Sequence, residues 1–141
     1  MSQTTNHTAA PFERGQCHAI DLVDKIALID AHWQPRVVAE MNDYQFKVVK
    51  VEGEFVWHRH ANTDETFIVL EGELRIDVRA GPSGDTSIVL RAGQMAVVPK
   101  GVEHKPSASA EVKLLLIEPR GVANTGEGAA SERTVENDQW I

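Results

Sequence analysis

The sequence predicts an all-β fold, a sandwich or barrel, with one short helix before it. Three observations carry this expectation. From Arg36 onward eight short apolar or alternating runs follow one another, at 37–41, 44–51, 54–60, 66–70, 74–78, 87–90, 95–98 and 112–117. Those runs favour β-branched residues, and Gly, Pro, Asn or Asp stand in the gaps between them. The chain has 141 residues, 42% of them apolar, which suits one domain with its own core and excludes disorder throughout.

Taken in order, residues 1–15 are polar, lack periodicity and read as a flexible lead-in to a barrel spanning 16–120. Apolar residues over 19–31 fit helix and strand about equally. A short helix capped by Asp21 or Asp24 is expected there. Asn42-Asp43 separates the first two β runs. Residues 61–64 are turn formers, so Glu65 can return beside run 54–60. Glu71-Gly72 suggests a tight hairpin between runs 66–70 and 74–78. Run 74–78 alternates, so one of its faces is buried and the other wet. The Gly81-Pro82-Ser83-Gly84-Asp85 stretch reads as a loop, and Pro99-Lys100-Gly101 as a turn. Residues 121–141 return to a polar tail, ending on Trp140 and Ile141, which either dock on the barrel or a second subunit or stand exposed.

Fourteen basic residues against twenty-one acidic ones leave a net charge of −7. That balance argues against nucleic acid or an anionic membrane as the main partner. The single Cys17 excludes a disulfide scaffold and a thiolate zinc site. The first fifteen residues lack the apolar core of a secretory signal. The longest strongly apolar run, 114–117, falls far short of the roughly 20 residues a membrane span needs. A soluble, cytoplasmic protein is expected.

The chemistry concentrates in two segments. In a strand, residues two apart share a face, so His58 and His60 point the same way and Arg59 opposes them. Glu65 opens the following run and can come back beside the pair. Two imidazoles and a carboxylate on one face suit a divalent transition metal. His104, just beyond Pro99-Lys100-Gly101, is a plausible fourth ligand if the barrel folds its strand against the first pair.

These segments resemble the two motifs of the cupin superfamily. The first stands here as His58-x-His60-x4-Glu65-x6-Gly72, with Gly53 one residue closer to the first His than usual. The second stands as Gly93-x5-Pro99-x-Gly101-x2-His104. Ala108 replaces its closing Asn, which is not among the usual metal ligands. The resemblance implies a double-stranded β-helix, or jelly-roll, barrel that is commonly a homodimer. It also implies one divalent metal (Mn, Fe, Ni, Co or Zn) held by His58, His60, Glu65 and His104.

By strand parity Val56, Phe67 and Val69 should line the interior beside the metal and form an apolar wall suited to a small ligand. Trp57 should face outward into packing or a subunit contact. His7, His18 and His32 lie outside the motifs and read as tail or surface residues. Candidates for a general acid or base are Glu54, Tyr44, Lys47 and Glu103. Three neutral imidazoles and a carboxylate leave a divalent ion at net +1, with positions open to a bidentate ligand. The expected function is a metal-dependent isomerase, lyase or dioxygenase acting on a small carbonyl, sugar or aromatic compound. The alternative is a non-catalytic small-molecule or metal-binding module.

Overall fold

The computed structural model describes residues 17–79, 81–127, 134–136 and 138–141. The expected lead-in, 1–15, lies outside them. Asp21 starts the helix α1 (Leu22–Ala27), its side chain accepting the Asp24 backbone N–H at 3.0 Å. That is N-capping by a short acid. Ile26 and Ile29 are buried against Val38 and Val48, which ties the helix to the sheet.

Seven strands follow: β1 (Arg36–Met41), β2 (Tyr44–Glu54), β3 (Glu65–Glu71), β4 (Glu73–Arg79), β5 (Asp85–Arg91), β6 (Met95–Val98) and β7 (His104–Pro119). The pairings among these seven strands are antiparallel, as suits an all-β jelly roll. Asn42 takes a left-handed conformation (φ 54°) in the two-residue turn joining β1 to β2. No helix among the described residues is long and apolar enough to cross a membrane.

Strand β7 organises the rest. It pairs with β2 along nearly all of its length, with β3 over its C-terminal half and with β4 over its N-terminal end. This corrects the hairpin expected at Glu71-Gly72. Strands β3 and β4 do not pair with each other. Both run antiparallel to β7, so the chain continues in one direction through Gly72. Gly72 makes the kink because its φ is +94° and a Cβ there would lie 3.0 Å from Glu111 O and 3.1 Å from Val112 Cγ2. A glycine between two apolar runs looks the same in sequence whether the chain reverses or only bends.

A second correction concerns run 54–60, expected as one strand. Strand β2 ends at Glu54, after a register shift between Val51 and Gly53. Residues 55–64 are irregular, their backbone joined to β7 by Phe55 N–H to Pro106 O and by a two-bond bridge between His58 and His104. The last run, expected at 112–117, belongs to a strand of 16 residues that starts at His104.

The inward faces of β2, β3 and β7 form two zones. Val49, Val51, Val69, Val112 and Leu114 make an apolar floor. Gln45, Lys47, Glu65 and Glu118 crowd the other end, all buried. The chain terminus docks back on the barrel. Val37 N–H donates to Gln139 O at 2.7 Å, Ile141 N–H donates to Val37 O at 3.1 Å, and Ile141 packs on the Ile26 and Val38 cluster. Of the readings open for Trp140 and Ile141, this is docking on the barrel.

Deleting residues 139–141 uncovers the helix–sheet cluster and removes those hydrogen bonds. The expected loss is about 2 kcal/mol, from partial burial of one isoleucine and net bonds of about 1 kcal/mol each. Urea denaturation monitored by circular dichroism checks it, and an unchanged midpoint would contradict the docking.

Candidate metal centre

His58, His60, Glu65 and His104 come together in the polar zone, all buried, with one donor atom from each within 4.8 Å of the others. The topology explains the meeting. His104 opens β7 and Glu65 opens β3. The irregular segment carrying His58 and His60 is drawn in by mutual backbone bonds, His104 N–H to His58 O at 2.8 Å and His58 N–H to His104 O at 3.1 Å. Gly101 N–H donates to His60 O at 2.8 Å and ties the second-motif turn to the first motif.

Hydrogen bonds outside the cluster orient two of the rings. His58 Nδ1 lies 2.9 Å from Val56 O, and His104 Nδ1 lies 2.9 Å from Val102 O. A carbonyl accepts only from N–H, so each Nδ1 carries the proton and each Nε2 keeps its lone pair for the interior. Stacking adds support. Trp33 lies on Phe55 at 4.8 Å between centroids, and Phe55 meets the edge of His58 at 5.1 Å.

The donor set fits a metal on an observation independent of motif. His60 Nε2, Glu65 Oε2 and His104 Nε2 are sealed from solvent, yet none completes a hydrogen bond. Glu65 Oε2 approaches His60 Nε2 at 2.5 Å without the angles of a hydrogen bond, and lies 3.7 Å from His104 Nε2, beyond hydrogen-bond distance. Orphaned buried polar atoms cost about 1–3 kcal/mol each. Three converging on one point are the arrangement a cation relieves.

The local fields agree. Burial pushes the His58 imidazolium down, with the His104 charge adding to it, to about 4, so His58 is neutral and able to ligate. Burial pushes Glu65 up, but the adjacent His104 and His60 outweigh it and hold the carboxyl at about 2. His60 is drawn down by burial and more strongly up by Glu65, for a net rise.

A narrow cavity opens onto His58 and Glu65. Its walls include Trp33, Phe55, Phe67, Leu114 and Leu116, and its other ionisable group is Glu118. Phe67 lines it as expected. Val69 lies in the floor and Val56 packs against the same core, both outside the lining, because the irregular 55–64 segment breaks the parity that placed Val56 inside. Trp57 stacks under the Arg79 guanidinium at 4.0 Å.

The four acid–base candidates do not line this cavity. Glu54, with its side chain 73% exposed, pairs with Lys105, and Glu103 pairs with Arg79 on the surface. Tyr44 is exposed. Lys47 is buried behind the cavity, its ammonium donating to Glu118 Oε1 at 2.8 Å. Sequence reasoning missed Glu118 because the expected run stopped at 117. Extending the parity of Leu114 and Leu116 by two residues finds it. It also missed Trp33, Phe55 and Asn124. Of these Trp33 gave no local signal, since its position depends on a left-handed backbone (φ 62°) and bonds to Lys50 and Glu52 carbonyls.

Comparison with known proteins agrees with this geometry. The family described as the cupin domain matches residues 45–118, just over half of the chain. The chain belongs to the cupin family. It is similar to a cupin-2 domain containing protein from Shewanella frigidimarina NCIMB 400, with 61% identity and a TM-score of 0.67 over 72% of this chain and 94% of that one. It is 36% identical to the uncharacterized protein YdbB of Bacillus subtilis (strain 168) over 57% of this chain and 68% of that protein. It also resembles the hydroquinone 1,2-dioxygenase PnpCD in complex with Fe3+, at 25% identity and a TM-score of 0.65, over 75% of this cupin and 33% of that chain.

The turn at 124–127 closes over the back of His60. Glu127 N–H donates to Arg59 O at 2.8 Å. Gly126, at φ +53°, is so close that a Cβ would fall 2.2 Å from Arg59 O and 2.9 Å from His60 Nδ1. Gly126→Ala therefore forces this turn off the His60 segment while leaving all four ligand residues in the sequence. The expected cost is about 1–2 kcal/mol with weaker metal retention, read by thermal unfolding and metal content together. His58→Ala combined with His60→Ala should abolish metal uptake in elemental analysis of protein purified without chelator. Metal retained near one per chain in that variant would remove the site assignment.

Proposed function

We propose that this cupin is a metal-dependent enzyme acting on a small hydroxylated aromatic compound, with oxygen-dependent ring cleavage as the reading best supported. The observation that carries it is the joining of a buried three-histidine, one-glutamate cluster to a cavity walled by Trp33, Phe55 and Phe67. A sugar would need many polar partners, whereas these walls offer flat apolar faces. The likeness to an iron-bound hydroquinone dioxygenase supports the same reading.

The chain's own residues supply holding and exclusion. His58, His60, Glu65 and His104 would hold a divalent ion, and the carboxylate would lower its net charge to +1. Leu114, Leu116 and Phe67 keep bulk water from the reacting face. Trp33 and Phe55, stacked on each other, offer a rigid face against which a ring is oriented. A bound divalent ion supplies Lewis acidity, and iron supplies in addition the redox chemistry that dioxygen requires.

Iron-loaded protein should consume O2 with hydroquinone or catechol, in step with loss of the aromatic absorbance. His104→Ala should abolish that uptake. Turnover of dicarbonyls or sugar phosphates without O2 would replace this reading with an isomerase or lyase. Binding without turnover across both panels would leave a binding module.

A further inference from the structure

Glu118 is 3% exposed and lines the cavity that Glu65 lines. The two face each other by register. Thr66 pairs with Ile117 across β3 and β7, and the next inward step in that ladder sets Glu65 beside Glu118. Glu118 Oε1 is held by Lys47 Nζ at 2.8 Å. Its other oxygen, Oε2, takes no hydrogen bond from a described residue, and the side chain lines the cavity. Asn124, the remaining polar group of the lining, has its Oδ1 accepting the Val135 N–H at 3.1 Å.

Burying a Lys–Glu pair inside a barrel costs desolvation, and replacing such a pair by apolar residues of similar volume is often neutral or stabilising. Lys47 fixes one oxygen of Glu118 and leaves the other as an acceptor on a largely apolar wall. An acceptor so placed discriminates between a ligand that offers O–H and one that does not, because an unmatched buried acceptor loses its water for nothing.

We infer that Glu118, positioned by Lys47, is the specificity-determining residue of the cavity and accepts a hydrogen bond from a ring hydroxyl of the aromatic ligand. This rests on the aromatic reading proposed above and adds to it the group by which a phenol is told from an unhydroxylated ring.

Phenol and toluene, which differ by OH against CH3, are the probes. Their binding is followed by calorimetry and by tryptophan fluorescence, on zinc-loaded and on metal-free full-length chain, so that no turnover is needed. Wild type should prefer phenol by about tenfold, the size expected for a hydrogen bond to a buried acceptor. Glu118→Gln should reduce the preference. Lys47→Met combined with Glu118→Leu removes both charges at similar volume and should bring it near unity while toluene binding is kept. If Glu118→Leu perturbs folding even with Lys47→Met, the Glu118→Gln ratio decides. A phenol preference unchanged in a variant that unfolds cooperatively and keeps its zinc overturns the inference. Equal binding of both probes to wild type also overturns it and leaves the aromatic reading standing. Binding of neither probe to wild type overturns both.

Discussion

The backbone ladder of β7 is the constraint on which the rest of the molecule depends. One strand of 16 residues satisfies its hydrogen bonds on β2 along one edge, and on β4 and then β3 along the other. Antiparallel pairing fixes which residues face inward, with a period of two. His104 at its start, Leu114 and Leu116 along it, and Glu118 near its end are therefore placed by one register. A slip of one residue would turn all of them outward. The kink at Gly72 lets a single length of chain follow β7 on both sides of its bend, and it brings Glu65 to the end where His104 bridges His58.

Polar and apolar requirements are separated within this small interior. The valine and leucine floor carries the hydrophobic stabilisation, and the opposite end collects two carboxylates, a lysine and three histidines. Burial penalises each charge there. Glu118 is pushed up to about 7, by burial first and by the Glu65 charge second, against the pull of Lys47. A divalent ion between the imidazoles would offset that accumulation of negative charge and occupy the orphaned nitrogens and oxygen. The cost of holding these groups out of water is thus built into the arrangement that makes the cluster a strong ligand set.

How much of this was legible in the sequence follows from the range of each interaction. Asp21 as a helix cap, Asn42-Asp43 as a turn and β6 at 95–98 are decided within a few residues, and they were read directly. The cluster was legible because a motif records a tertiary arrangement in local spacing, even though His58 and His60 do not sit on the continuous strand assumed for them. Lys47 was named as a candidate general acid or base, but not its partner 71 residues away.

By itself, the sequence determined the all-β class, the helix cap, most turns, and the four residues of the candidate centre, since periodicity, turn chemistry and motif spacing are local. Only the tertiary structure decided that Glu71-Gly72 bends without reversing, and that Trp33, Phe55 and Glu118 share a cavity while Glu54, Tyr44 and Glu103 lie outside it. It also decided that residues 124–127 and 139–141 close on the barrel. The reason is common to these cases. Each depends on which distant strand satisfies a backbone edge or a buried charge, and that choice is made by the register of β7, which no local pattern specifies.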